Sequence, residues 1–196
     1  MEGLTWAETE GTFCATTVLL EGVSDVAAVR AVAKRLDVDL SSVQLVDLGG
    51  VTNVRRVLLD TVRARPDAGL LGLCDAGEVR FVLRALDVAG LGVAHERELP
   101  SRGFFVCRAD LEEELIRALG TARTVEVIEG LGLGTKLATL QQQPAWQGRP
   151  LAEQLHRFCG VASGRKELLA GALAAELEPS EVPVPLRRLA ERMARA

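Results

Sequence analysis

The sequence predicts an α/β protein: a mostly parallel sheet of about four strands flanked by helices, with a C-terminal helical extension. Three observations carry this. Apolar strand-like runs alternate with amphipathic helical patterns through the first half, and a small or acidic turn marks each junction. Beyond about residue 121 the strand signal fades into helix-prone segments. Strands that alternate with helices in this way form parallel pairs, because each helix carries the chain back to the edge it left.

The first unit is Thr12 to Leu20 (TFCATTVLL), followed by Asp25 to Leu36 with Val26, Val29, Ala33 and Leu36 at helical spacing. The second is Val43 to Leu48, then Gly49-Gly50, then Asn53 to Arg65 with Val54, Val57, Leu58 and Val62 on one face. Gly69 to Cys74 opens the third, with Asp75-Ala76-Gly77-Glu78 as its turn and Val79 to Leu86 as its helix. Between the third and fourth units, LGVAHERELPSRG reads as a short edge strand and a polar loop. The fourth runs from Gly103 to Arg108 and leads into Ala109 to Leu119, where Leu111, Leu115 and Leu119 repeat every fourth position. After a short β-compatible run, TVEVI, the helical segments are Lys136 to Gln143, Leu151 to Phe158, Arg165 to Leu177 and Leu186 to Ala194. The expected division is therefore an α/β domain over 1–120 and a helical extension over 121–196 packed on it.

An apolar fraction of 48% is ample for a core, and the absence of tyrosine leaves that core to Ala, Leu and Val. No run approaches the ~18 apolar residues of a membrane span, and MEGLTWAETEG lacks the basic start of a signal peptide, so a cytoplasmic protein without a membrane partner is expected. Four cysteines without a C-x-x-C pair and two distant histidines exclude a zinc site or a disulfide framework. Cys14, Cys74 and Cys107 read as small buried hydrophobes in strands. A net charge of -4 excludes coating of nucleic acid by bulk electrostatics, yet leaves room for a local basic face.

Ligands of open parallel sheets bind beyond the C-terminal strand ends, and acidic residues fall there. Glu21 follows the first strand and Asp25 opens its helix; Asp75 and Glu78 follow the third; Asp110, Glu112, Glu113 and Glu114 follow the fourth. Carboxylates converging at one edge repel one another unless a cation joins them, and hard divalent ions take oxygen ligands. Gly22, without a Cβ, lets a phosphate approach. Each residue also has an ordinary reading: Asp25 as a helix cap, Glu113 and Glu114 as a solvated face favoured by the helix dipole.

E-G-x-S-D after the first strand, G-G after the second, an Asp-led acidic turn after the third and D-L-E-x-E-L after the fourth together resemble the Toprim domain. Primases, type IA and type II topoisomerases and the overcoming-lysogenization-defect (OLD) nucleases share that domain. The likeness covers about residues 12–120 and is nearest to the OLD group, which ADLEEELIRALG and GRKELLAGALAAEL also resemble. The resemblance implies a Rossmann-like sheet and a site for Mg²⁺ or Mn²⁺, two ions in all, serving phosphodiester chemistry. It implies Glu21 as a ligand or general acid/base, and Asp25, Asp75, Asp110 and Glu112 as further ligands. Lys166 corresponds to a lysine beside the scissile phosphate. The second aspartate of the Toprim D-x-D pair falls at Gly77, a departure for which Glu78, one residue on, either compensates or does not. At 196 residues there is no room for the ATPase half of full-length OLD proteins, so the chain resembles a small stand-alone form with a separate ATPase or a repair or defence protein as partner.

The leading expectation is hydrolysis of DNA, ahead of RNA. Topoisomerase chemistry needs a nucleophilic tyrosine, which is absent. Arg80 and Arg84, one turn apart beside the third acidic turn, are the preferred phosphate contacts, followed by Arg55 and Arg56; ordinary solvated arginines are the alternative for each. Lys136 in GLGLGTK fails the phosphate-loop pattern in spacing and in the hydroxyl position, where Leu137 stands. His95 and His156 read as structural or solvent-facing. A second reading, a Toprim-like module that binds nucleic acid or nucleotide without cleaving, follows from Gly77. A third, an α/β scaffold whose carboxylates are caps, leaves Glu21 beside Gly22 without a reason.

Overall fold

A computed structural model describes residues 15–161 and 163–196, with the side chain of Ser163 outside that set. Its four strands are β1 (Thr16–Leu20), β2 (Val43–Asp47), β3 (Gly69–Asp75) and β4 (Phe104–Cys107), all parallel in the order β2-β1-β3-β4. Residues 12–14 of the expected first strand, Cys14 among them, lie outside the described residues. Helices α1 (Val23–Arg35), α2 (Val54–Ala64), α3 (Val79–Val88) and α4 (Leu111–Leu119) follow the four strands in turn. The extension adds α5 (Thr121–Gly130), α6 (Gly134–Gln141), α7 (Leu151–Gly160), α8 (Ser163–Ala175) and α9 (Val184–Met193). The expected parallel sheet flanked by helices, with helices after it, is the observed fold, a Toprim-like, Rossmann-like arrangement.

Side chains alternate along a strand, and here the alternation feeds two cores. Val18, Leu20, Leu71, Leu73, Phe105 and Cys107 face one layer with α1, α4 and the C-terminal helices, while Leu19, Cys74 and Phe104 face the other with α2 and α3. All five residues of β1 are buried, as befits a central strand covered on both faces. The extension is joined to the sheet layer by apolar packing of α8 on α1 and by the Arg35–Glu178 ion pair, and is tied within itself by a second. Arg35 reaches the Leu177 carbonyl at 2.6 Å and Glu178 at 2.9 Å, and Arg123 meets Glu181 at 2.8 Å.

Two local expectations are corrected. TVEVI lies within α5, where Thr124 and Ile128, one helical turn apart, are the buried residues. Helical packing on the sheet layer overrides the strand preference of its β-branched residues. The expected edge strand in LGVAHERELPSRG is absent; Glu96–Arg102 forms a 3-10 turn ended by Gly103 at φ 82. Val93 and Leu99 are both buried in the second core, so the segment is anchored by two side chains rather than by a ladder. Cys74, Cys107 and Cys159 are buried free thiols, and burial pushes each well above its ordinary pKa, to about 12 for Cys74 and Cys159.

Gly72 of β3 stands opposite Phe104 of β4. A Cβ on Gly72 would stand 2.5 Å from the ring of Phe104, whose side chain is itself locked in the core. Gly72→Ala is expected to cost ~1–3 kcal/mol, read as a lower urea midpoint at unchanged slope.

Candidate metal centre

β1 leads through α1 to β2 on one side, and β3 leads through α3 to β4 on the other. The connections therefore diverge between the C-terminal ends of β1 and β3, the crevice where open α/β sheets bind ligands. Glu21 is the first residue past β1, and Asp75 ends β3 with Glu78 in the 3-10 turn beyond it. One carboxylate oxygen from each of Glu21, Asp75 and Glu78 lies within 4.8 Å of the other two. Glu78 Oε2 is buried with no hydrogen-bond partner among the described residues. An oxygen-only donor set with a buried, unpaired carboxylate oxygen suits a hard divalent cation.

Asp25 sits beside this trio, 7% exposed, in the first turn of α1. Its Oδ2 accepts the Gly22 N–H at 3.1 Å, so the capping reading of Asp25 is realised. Gly22 itself has extended backbone, and a Cβ there would meet only Asp25 Oδ2, at 3.9 Å. Nothing within the described residues requires glycine at that position; its effect is open space against the carboxylates.

The fourth strand contributes differently. Glu112 is 4% exposed, and its Oε1 lies 3.3 Å from the Lys166 ammonium on α8. Asp110 is the N-cap of α4: Oδ1 accepts the Glu113 N–H at 2.8 Å, while Oδ2 lies 2.6 Å from His156 Nε2 on α7. Asp110 thus faces the centre already held through both oxygens. Glu114, expected on a solvated face, is 1% exposed; it accepts the Arg108 N–H at 3.0 Å and pairs with Arg117, tying α4 to the end of β4. No sequence signal joins His156 to Asp110, 46 residues away. Arg55, Arg56, Arg80 and Arg84 are all exposed, with Arg80 laid over the Phe81 ring at 4.8 Å.

The carboxyls act on one another. Burial, then the charges of Glu21 and Glu112, push Asp25 up from 3.8 to about 6, against the Gly22 N–H and Lys166. Asp75 is pushed to about 8 by burial and by Asp25, Glu21, Asp110 and Glu112. Glu78 also reaches about 8, through burial, the adjacent Glu21 carboxyl and the charge of Asp75. Burial disfavours the Lys166 ammonium, yet Glu112, Asp25 and Glu21 outweigh it and hold the pKa above the ordinary lysine value. The six carboxyls thus form one electrostatic unit, with Lys166 as its cation.

The same fold occurs in solved structures. The C-terminal region of the OLD protein of Xanthomonas campestris pv. campestris aligns with a TM-score of 0.68 at 22% identity, over 94% of this chain and 97% of that one. A second structure of the same region gives 0.67 at 24% identity, over 94% and 96%. The C-terminal region of the Burkholderia pseudomallei OLD protein gives 0.64 at 21%, over 92% and 97%. These likenesses establish a shared Toprim-like fold that includes the helical extension. No protein-family model matches the chain, and no curated protein does.

The raised pKa values of Asp25, Asp75 and Glu78 fix the sign of a pH dependence. The native state retains protons that the unfolded chain has released, so stability is greatest below about pH 4 for these groups and is lost as pH rises toward 8. Metal-free protein is therefore expected to lose Tm between pH 5 and 8, and Asp75→Asn to flatten that loss. Mg²⁺ or Mn²⁺ at ~100 times Kd should raise Tm by roughly 5–10 °C, more at pH 8 than at pH 5, as scanning calorimetry would measure.

Proposed function

We propose that this chain is a divalent-metal-dependent phosphodiesterase acting on nucleic acid, DNA ahead of RNA. The observation that carries the reading is the convergence of Glu21, Asp75 and Glu78 within 4.8 Å at the crevice between β1 and β3. The fold shared with the C-terminal regions of OLD proteins supports it.

Glu21, Asp75 and Glu78 would hold one Mg²⁺ or Mn²⁺, and Asp25 with Glu112 and Asp110 would border a second. Bound there, such ions supply Lewis-acid polarisation of a phosphoryl oxygen and a water more easily deprotonated. The chain's own groups do the rest. Glu21, the first residue past β1, would exchange a proton with an attacking water. Lys166, kept charged and aimed by Glu112, would steady the negative charge that builds on the phosphoryl oxygens. Gly22 leaves room for that phosphate, and Arg80, Arg84, Arg55 and Arg56 are the proposed backbone contacts. A separate ATPase or a repair or defence protein is the proposed partner, in the cytoplasm.

A second reading, a module that binds nucleic acid without cleaving it, is favoured by Gly77 in place of the second D-x-D aspartate. That position is open: a Cβ on Gly77 would meet nothing within 4 Å.

A cleavage assay on supercoiled plasmid, linear DNA and structured RNA with Mg²⁺ or Mn²⁺ separates the two. Glu21→Ala and Asp75→Ala are each expected to lower the rate at least ~100-fold. Lys166→Ala should lower kcat by ~10²–10³ while metal affinity is largely kept. Gly77→Asp should fold normally, and a gain of cleavage where the parent has none would mark the binding module as the correct reading. Absence of cleavage in both proteins with any metal would sink the nuclease.

A further inference from the structure

Between α6, α7 and the turn into α8 lies a cleft of about 250 Å³ whose lining includes Lys136, Thr139, Gln143, Arg157, Phe158 and Arg165. Every charged residue in that lining is basic, in a chain of net charge -4. Among the described residues, none of Lys136, Arg157 and Arg165 forms an ion pair with an acid.

Aromatic faces, rather than carboxylates, hold the two guanidinium groups. Arg165 lies 4.3 Å from the Phe158 ring and donates to the Val161 carbonyl at 3.1 Å, while its Nε is buried without a hydrogen-bond partner. Arg157 lies 5.9 Å from the Trp146 ring. A guanidinium stacked on a ring keeps its planar donors for an anion, and Lys136 adds a third cation to the same lining. The cleft is smaller than the ~300–1,000 Å³ of a typical small-molecule site, which suits a phosphate with its sugar better than a whole nucleotide.

Its position follows from the chain. Arg157 succeeds His156, which meets Asp110, and Arg165 precedes Lys166, which meets Glu112. The two residues that touch the centre from the extension are thus each adjacent in sequence to one that lines the cleft.

We propose that this cleft is a phosphate subsite that holds the nucleic-acid strand beside the phosphodiester presented to the metal centre. The proposal rests on the nuclease reading for its substrate, but its binding is independent of metal and cleavage. The same cations would accept free inorganic phosphate, so the test must separate the two sources.

Fluorescence anisotropy of a labelled single-stranded oligodeoxynucleotide, titrated in EDTA over a series of salt concentrations, reads the subsite directly. The double variant Lys136→Gln/Arg157→Gln changes two exposed side chains and should keep the parent Tm. It is expected to bind ~10-fold more weakly, with a salt slope reduced by roughly 1.4, the loss of two single-strand phosphate contacts. Arg188→Gln, an exposed arginine on α9 that is absent from the cleft lining, should change the slope by no more than one contact's worth, ~0.7. Equal affinity and slope in parent and double variant, or no oligonucleotide binding by the parent, would overturn the proposal. So would calorimetric binding of inorganic phosphate that the double variant loses while oligonucleotide binding persists, since the cleft would then take free phosphate. Cleft-dependent binding without any cleavage by the parent with Mg²⁺ would retain the subsite and remove the nuclease; cleavage with cleft-independent binding would do the reverse.

Discussion

Mutual repulsion among carboxylates gathered at one end of the sheet is the constraint around which this molecule is arranged. Asp25, Asp75 and Glu78 are all displaced toward their protonated forms, with burial the first cause in each case and the neighbouring acids the next. A fold that only had to be stable would have no reason to hold three such groups near the centre of a sheet, where each raised pKa is a cost at neutral pH. The Gly22 N–H and the Lys166 ammonium each offset part of it at Asp25.

The offsets come from two sources. The cap on α1 is local, made within a few residues of the carboxylate it serves. Lys166 comes from α8, so the extension is part of the electrostatics of the centre as well as of the core. Packing of α8 on α1, with Arg35 fastened to the Leu177 carbonyl and Glu178, fixes where Lys166 can reach. The helical half thereby brings a cation to the edge of the crevice.

The edge of the sheet is handled differently from its centre. Glu114, buried against the Arg108 N–H and Arg117, spends its charge on joining α4 to β4. Two residues away, Glu112 is just as buried but turns to a lysine. Chemically identical side chains on one helical turn thus have different surroundings, which the helix's own rotation assigns.

The sequence by itself determined the four strands, their parallel order of alternation with helices, and the placement of Glu21, Asp75 and Glu78 at strand ends. The physical reason is locality: apolar period and turn chemistry are written over a few residues. It also carried Asp25 and Lys166, through motif resemblance rather than periodicity. Tertiary structure alone decided what those residues meet. TVEVI became helical because α5 had a core to pack on; His156 found Asp110, and Lys166 found Glu112, across many residues of intervening chain. The strand order β2-β1-β3-β4 likewise put the β1 and β3 turns side by side at the crevice, a neighbourhood that only the folded sheet creates. Such pairings depend on how helices dock, and docking is a property of whole faces that no short stretch of sequence contains.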